Sequence, residues 1–104
     1  MKQFDVYTVD FNLTKGSEIR KIRPAVIISP DQMNAHLKTV IVAPLTYTEK
    51  GYPSRVPTKF DGDPGEVVLD QIRAVDKIRL TKKLGKIDRT TAIHIKLVLA
   101  TMFS

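Results

Sequence analysis

Short apolar runs alternate with polar stretches along most of the chain, and only its last part changes period. Residues 4–10, FDVYTVD, mix aromatic and β-branched side chains in a short run and read as a strand. Residues 11–21 then form a polar connection of about eleven residues, long for so small a chain. The segment 24–29, PAVIIS, is nearly all apolar and reads as a strand buried on both faces. PDQMNAHLK is turn-like, and TVIVAPLT (39–46) is a third strand. SRVPTKF (54–60) is a fourth, weakened by Pro57 in the way edge strands tolerate. DGDPG is a turn signal, EVVLD (66–70) a fifth strand, and AVDKIRL contains a short sixth. LTKKLGK (80–86) reads as a solvated basic surface.

From Asp88 onward the spacing becomes helical. Asp88 is placed to cap RTTAIHIKLVLATMF, which contains neither Gly nor Pro. Ile93, Leu97 and Ala100 share one side, and Ile95, Val98, Leu99 and Met102 widen the apolar stripe beyond a single face. Such a helix asks for two partners, its own sheet and a second subunit. The pattern predicts a mainly β, strongly bent antiparallel sheet or barrel with a C-terminal α-helix.

Composition narrows the classes. A chain of 104 residues, 42% hydrophobic and 27% charged, is expected to be one globular domain spanning 1–104. It has no cysteine, which excludes disulfides and thiolate metal sites and suits a cytoplasmic protein. The longest apolar run, VIVAPL, falls far short of the roughly 20 residues of a spanning helix, so no membrane association is expected. The net charge of +6 points to nucleic acid or an acidic protein as partner.

If the five clear strands run up and down in sequence order, one end of the sheet collects most of the chemistry. Ser17, Glu18, Arg20, Lys21, Arg23, Thr46, Thr48, Arg55, Asp70, Gln71 and Arg73 fall there. Arg23 stands out because Pro24 and the buried run behind it fix where its side chain begins.

These residues also form ordered motifs. RPAVIISPDQMN, VIVAPLT, GYPSRVP and VVLDQIRAVDKIRL, at matching spacing over nearly the whole chain, resemble the MazF/PemK family of toxin–antitoxin ribonucleases. The resemblance implies a small SH3-like barrel of the CcdB/PemK type and a homodimer. It also implies metal-independent cleavage of single-stranded RNA without a cofactor, and an antitoxin with an acidic, flexible C-terminal segment. Arg23 and Thr46 match its principal catalytic pair, and Glu18 matches a glutamate implicated in some members. The PemK-like branch has Arg two positions before the aspartate matched by Asp70 and His in the first loop, where this chain has Val68 and Ser17. The MazF version, centred on Arg23 and Thr46, fits better.

The chemistry asked of such a site is attack of an RNA 2′-hydroxyl on the adjacent phosphate. Arg23 offers a planar fork for phosphate oxygens and is too weak an acid to donate protons. Thr46 offers a hydrogen bond to a charged oxygen. Glu18 is the candidate base, and water is a candidate proton source for the leaving oxygen. Ser17, Arg20, Lys21, Thr48, Asp70, Gln71 and Arg73 are candidates for holding phosphates or base edges, and Tyr47 and Tyr52 for stacking on bases. Taken singly, the same residues read as strand-edge charges, with Asp70 forming an ion pair with Arg73. A competing function from another class is CcdB-like inhibition of DNA gyrase, which would depend on C-terminal residues. A third is a nucleic-acid-binding barrel without chemistry.

Overall fold

The computed structural model describes residues 1–11 and 21–104. Seven strands, β1 (Asp5–Asp10), β2 (Ile22–Ile27), β3 (Thr39–Thr46), β4 (Arg55–Phe60), β5 (Asp63–Val68), β6 (Arg73–Asp76) and β7 (Leu80–Lys86), make one curled antiparallel sheet. Among the described residues two α-helices complete it, the short α1 (Asp31–His36) and the C-terminal α2 (Arg89–Met102). The sheet is a half-barrel of order β4-β5-β3-β2-β1-β7, with β6 also paired to β3. The mainly β, barrel-like class with a C-terminal helix is the one predicted.

Strand order departs from sequence order at three pairings: β5 and β6 both pair with β3, and β7 pairs with β1. β5 lies between β3 and β4, so β3 and β4 do not pair as a hairpin. β3 is long enough to serve two partners on one edge: Val42 pairs with Arg73 of β6, and Thr46 pairs with Glu66 of β5. β5 and β6 thus run along β3 end to end. The 3₁₀ turn Leu69–Gln71 between them projects where the ladder is interrupted. Three other segments differ from expectation. PDQMNAHLK contains a helix of six residues, too short to show a periodic signal. The tight turn sits at Asp61–Gly62, and Asp63 and Pro64 already pair with β4. LTKKLGK is a strand, β7, paired to β1. Thr81, Lys82 and Lys83 are all exposed, so β7 carries no alternation for sequence reading to find.

Period-two alternation divides the side chains between two cores. Val26, Ala43, Leu45, Val56 and Val67 point to one face, where Ile95 of α2 closes over them. Ala25, Ile27, Val42 and Val75 point to the other, and the curl of the sheet wraps them around Val9 and Leu80. α2 is tied to β4 by a buried hydrogen bond between the Thr58 and Thr91 hydroxyls, 3.3 Å long. Ile93 and Leu97 remain exposed on its outer side. The helix begins as predicted: the Asp88 carboxylate accepts from the Thr91 hydroxyl at 2.6 Å and the Thr91 N–H at 3.2 Å. Those two bonds hold the Asp88 carboxyl below its ordinary range. Replacing a capping carboxylate costs about 0.5–2 kcal/mol. Asp88→Ala is therefore expected to lower the unfolding free energy by that amount, measured by urea denaturation at pH 7.

Candidate functional site

The second face of the sheet is apolar through its middle and polar at one end. Ala25 pairs with Pro44, and the same register continued two residues sets Arg23 across from Thr46. Thr46 pairs with Glu66, and Glu66 with Pro57. A row Arg23–Thr46–Glu66–Pro57 therefore crosses four strands on one face. The row behind it is Ala25–Pro44–Val68–Arg55, allowing for the interruption of the ladder beside Pro44.

Two clefts open on this face, one on each side of Thr46. The first, about 350 Å³, is lined by Phe11, Lys21, Arg23, Pro44, Gln71 and Arg73. Among the described residues that line it, three are cations and none is acidic. Its walls are fixed by backbone pairing: the Phe11 N–H donates to the Lys21 carbonyl at 2.8 Å, and Arg73 pairs with Val42. The Arg73 guanidinium lies 5.5 Å from the centre of the Phe11 ring, which braces it from one side. A cleft walled by two guanidinium groups and an ammonium, with no carboxylate among its described lining, is suited to a phosphate.

Beside it, the Thr46 hydroxyl oxygen accepts from the Thr48 N–H at 3.2 Å. That bond occupies a lone pair and leaves the O–H to donate elsewhere. β5 approaches very closely here. A Cβ added at Gly65 would lie 2.3 Å from the Thr46 carbonyl oxygen, so only glycine lets the strands pair at this level.

The second cleft, about 500 Å³, is lined by Glu49, Gly51, Tyr52, Arg55, Pro57 and Glu66. Glu66 is 3% exposed. Its two carboxylate oxygens accept from the backbone N–H groups of Lys50 and Gly51, each at 2.9 Å. Gly51 turns its N–H inward through a φ of 70°, which favours glycine. The two backbone bonds outweigh desolvation and hold the Glu66 carboxyl below its ordinary 4.5. Between the clefts, Asp70 Oδ1 accepts from the Ser54 hydroxyl at 2.9 Å and from Arg55 Nε at 3.3 Å. Desolvation pushes the Asp70 carboxyl up, but those bonds and the guanidinium charge win and keep it low. Arg55 in turn lies 4.9 Å from the centre of the Tyr52 ring.

Of the residues singled out from sequence, Lys21, Arg23, Gln71 and Arg73 thus meet in one cleft. Thr46 follows Arg23 in register, and Thr48 is bonded to Thr46. Asp70 forms its ion pair with Arg55 rather than with Arg73, because the 3₁₀ turn aims it toward the start of β4. Val68 is buried opposite Arg55, so β4 brings Asp70 the guanidinium that position 68 lacks. Ser17, Glu18 and Arg20 lie outside the described residues. Phe11 and Glu66 were not singled out: Phe11 reads as loop, and Glu66 as the first residue of a strand. Glu66 would have been legible only from knowing that β5 pairs with the end of β3. Among the described residues, no three His, Asp or Glu side chains converge as metal ligands. No helix among the described residues is long and apolar enough to cross a membrane.

Solved structures share this curled half-barrel with its C-terminal helix. An endoribonuclease in complex with its cognate antitoxin, from a mycobacterial species, aligns with a TM-score of 0.85 at 26% identity, covering 99% of this chain and 94% of that one. The family model for PemK-like, MazF-like toxins of type II toxin–antitoxin systems matches residues 2–103. An endoribonuclease MazF of Staphylococcus saprophyticus is 41% identical over 90 residues, spanning 81% of this chain and 75% of its own. One of Staphylococcus epidermidis is 35% identical over 104 residues, spanning 91% and 84%. The chain belongs to the PemK-like, MazF-like toxin family.

The Glu66 clasp makes stability pH-dependent in a defined direction. With its carboxyl below 4.5 in the folded protein, its contribution is complete above about that pH and is lost as pH falls through the lowered folded value. Glu66→Gln leaves one acceptor oxygen for two donors. It is expected to lower Tm at pH 7 and to flatten the fall of Tm below pH 4.5, read from thermal melts between pH 7 and pH 3.

Proposed function

We propose that residues 1–104 form a single-domain toxin that cleaves single-stranded RNA, with Arg23 and Thr46 as its catalytic pair. The observation that carries this reading is the cleft of Lys21, Arg23 and Arg73, with no acid among its described lining, in a chain whose relatives are named endoribonucleases.

The reaction needs nothing beyond RNA, protein and water. The 2′-hydroxyl attacks phosphorus, its proton passes to a base, and the bond to the 5′-oxygen breaks as that oxygen takes a proton from water. The products are a 2′,3′-cyclic phosphate and a 5′-hydroxyl. Arg23 offsets the charge that builds on the non-bridging oxygens, and Thr46 donates a hydrogen bond to one of them. Arginine keeps its proton at ordinary pH, so Arg23 acts electrostatically rather than as the acid. Glu18 is the carboxylate that the resemblance offers as base. Lys21, Arg73 and Gln71 hold the strand in the first cleft. Ser17, Arg20, Thr48 and Asp70 complete the set of candidate RNA contacts, with Asp70 acting through Arg55.

The partners follow from the same surfaces. The exposed Ile93 and Leu97 row on α2 supports a homodimer. A cognate antitoxin, as in the mycobacterial complex, would silence the toxin by laying an acidic, flexible segment over the cationic cleft. Messenger RNA as the substrate places the action in the cytoplasm. A gyrase inhibitor of the CcdB kind is not favoured, because it leaves the Arg23–Thr46 row without a task.

The test pairs cleavage assays with one variant. Wild-type protein is expected to cut RNA in excess EDTA and to spare a DNA copy of the same sequence. Arg23→Ala should lower kcat by about 10²–10³-fold, the usual loss for one charge-aimed donor, with Tm unchanged because Arg23 is exposed. Equal cutting of DNA, or full activity in the variant, would contradict the reading.

A further inference from the structure

The two clefts flanking Thr46 have opposite electrostatic character. The first offers Lys21, Arg23 and Arg73 and no acid among its described lining. The second offers Arg55, already paired with Asp70, together with Glu49 and Glu66. A phosphate entering it would meet two carboxylates and a cation whose charge is committed. Coulomb repulsion therefore turns a phosphate away from it.

What the second cleft does offer is a prepared aromatic surface. Tyr52 is 51% exposed, yet its backbone is held on both sides. The preceding N–H, of Gly51, donates to Glu66 at 2.9 Å, and its own carbonyl accepts from the Arg55 N–H at 3.0 Å. The ring is braced by the Arg55 guanidinium, which is itself 13% exposed and anchored by Asp70. An exposed aromatic ring costs affinity when it must be ordered on binding, and here much of that ordering precedes binding. Arg55 spends Nε on Asp70 and keeps its terminal N–H donors for an acceptor edge, while Glu49 can accept from an exocyclic amine. An uncharged planar group carrying both donors and acceptors matches this set, and that describes a nucleobase.

We infer that the cleft of Tyr52, Arg55 and Glu66 is a nucleobase subsite, which stacks a base next to the scissile phosphate on Tyr52. This rests on the reading of the chain as a ribonuclease. The strand would cross the row Arg23–Thr46–Glu66–Pro57, phosphate in the cationic cleft and a neighbouring base in the anionic one. Selectivity at that position would then come from the second cleft.

Three measurements test it. Tyr52→Ala is expected to lower kcat/KM on single-stranded RNA about tenfold or more, the scale of one lost base stack, with Tyr52→Phe recovering most of the loss. Tyr52→Ala should leave the salt dependence of RNA binding unchanged, while Arg73→Ala, which removes a phosphate contact, should reduce it. Substrates carrying one abasic residue, moved through the positions flanking the cut, should reveal a position where the missing base costs the wild type as much as Tyr52→Ala does. At that position the variant should lose nothing further. Additive losses at every position, or full activity of Tyr52→Ala, would overturn the inference. Nucleoside titration by NMR keeps it separate from the ribonuclease reading, since adenosine, guanosine, cytidine and uridine carry no phosphate. Shifts at the Gly51 and Arg55 amides, absent in Tyr52→Ala, would support the subsite even for a protein that cut no RNA. No shift with any of the four would sink it.

Discussion

The pairing of Thr46 with Glu66 at the end of β3 is the contact on which the rest of the site depends. It brings β5 against β3 so closely that position 65 must be glycine. The pairing puts a buried carboxylate where it can clasp the chain leaving β3. It also leaves the other edge of β3 to β2, whose register, continued two residues past Ala25 and Pro44, sets Arg23 across from Thr46. Loss of this pairing would therefore disturb the polar row, the turn that carries Tyr52 and the separation between the two clefts together.

The two faces of the sheet divide the work. One face is closed by α2 and contributes stability through Ile95 and the side chains beneath it. The opposite face builds a second core only as far as Ala25 and Val42, and beyond it the same alternation delivers Arg23, Thr46 and Arg73. The cationic end is thus the continuation of a buried row, which explains how these cations are held in position. Their position is set by apolar residues two and four places away along the strands. Flexible side chains on a rigid ladder lose less freedom on binding than side chains carried by a free loop.

Much of this was legible in the sequence, and what was not has identifiable causes. β1 to β5 announce themselves through β-branched runs bounded by turn residues, and Asp88 marks the start of α2 as a cap. β7 escaped because its lysines face water on both sides, although its backbone still pairs with β1. The strand order could not be read locally, since nothing in residues 47–65 says that β5 will insert between β3 and β4. That insertion is also why Glu66 stayed hidden. Arg23 and Thr46 are singled out by motifs, whereas reading Asp70 locally pairs it with its neighbour Arg73. The structure gives it to Arg55, 15 positions earlier, because β4 and β5 pair in register.

In the proposed reaction an RNA 2′-hydroxyl is the nucleophile, and Arg23 and Thr46 hold the phosphate it attacks. The most direct measurement uses one RNA oligonucleotide with a single 2′-deoxy residue immediately 5′ of the cut. Cleavage at that bond is expected to vanish while sites elsewhere in the same strand are cut normally, each leaving a 2′,3′-cyclic phosphate and a 5′-hydroxyl. Cleavage at an undiminished rate at the deoxy position would contradict it, since the nucleophile would then have to come from water or from the protein.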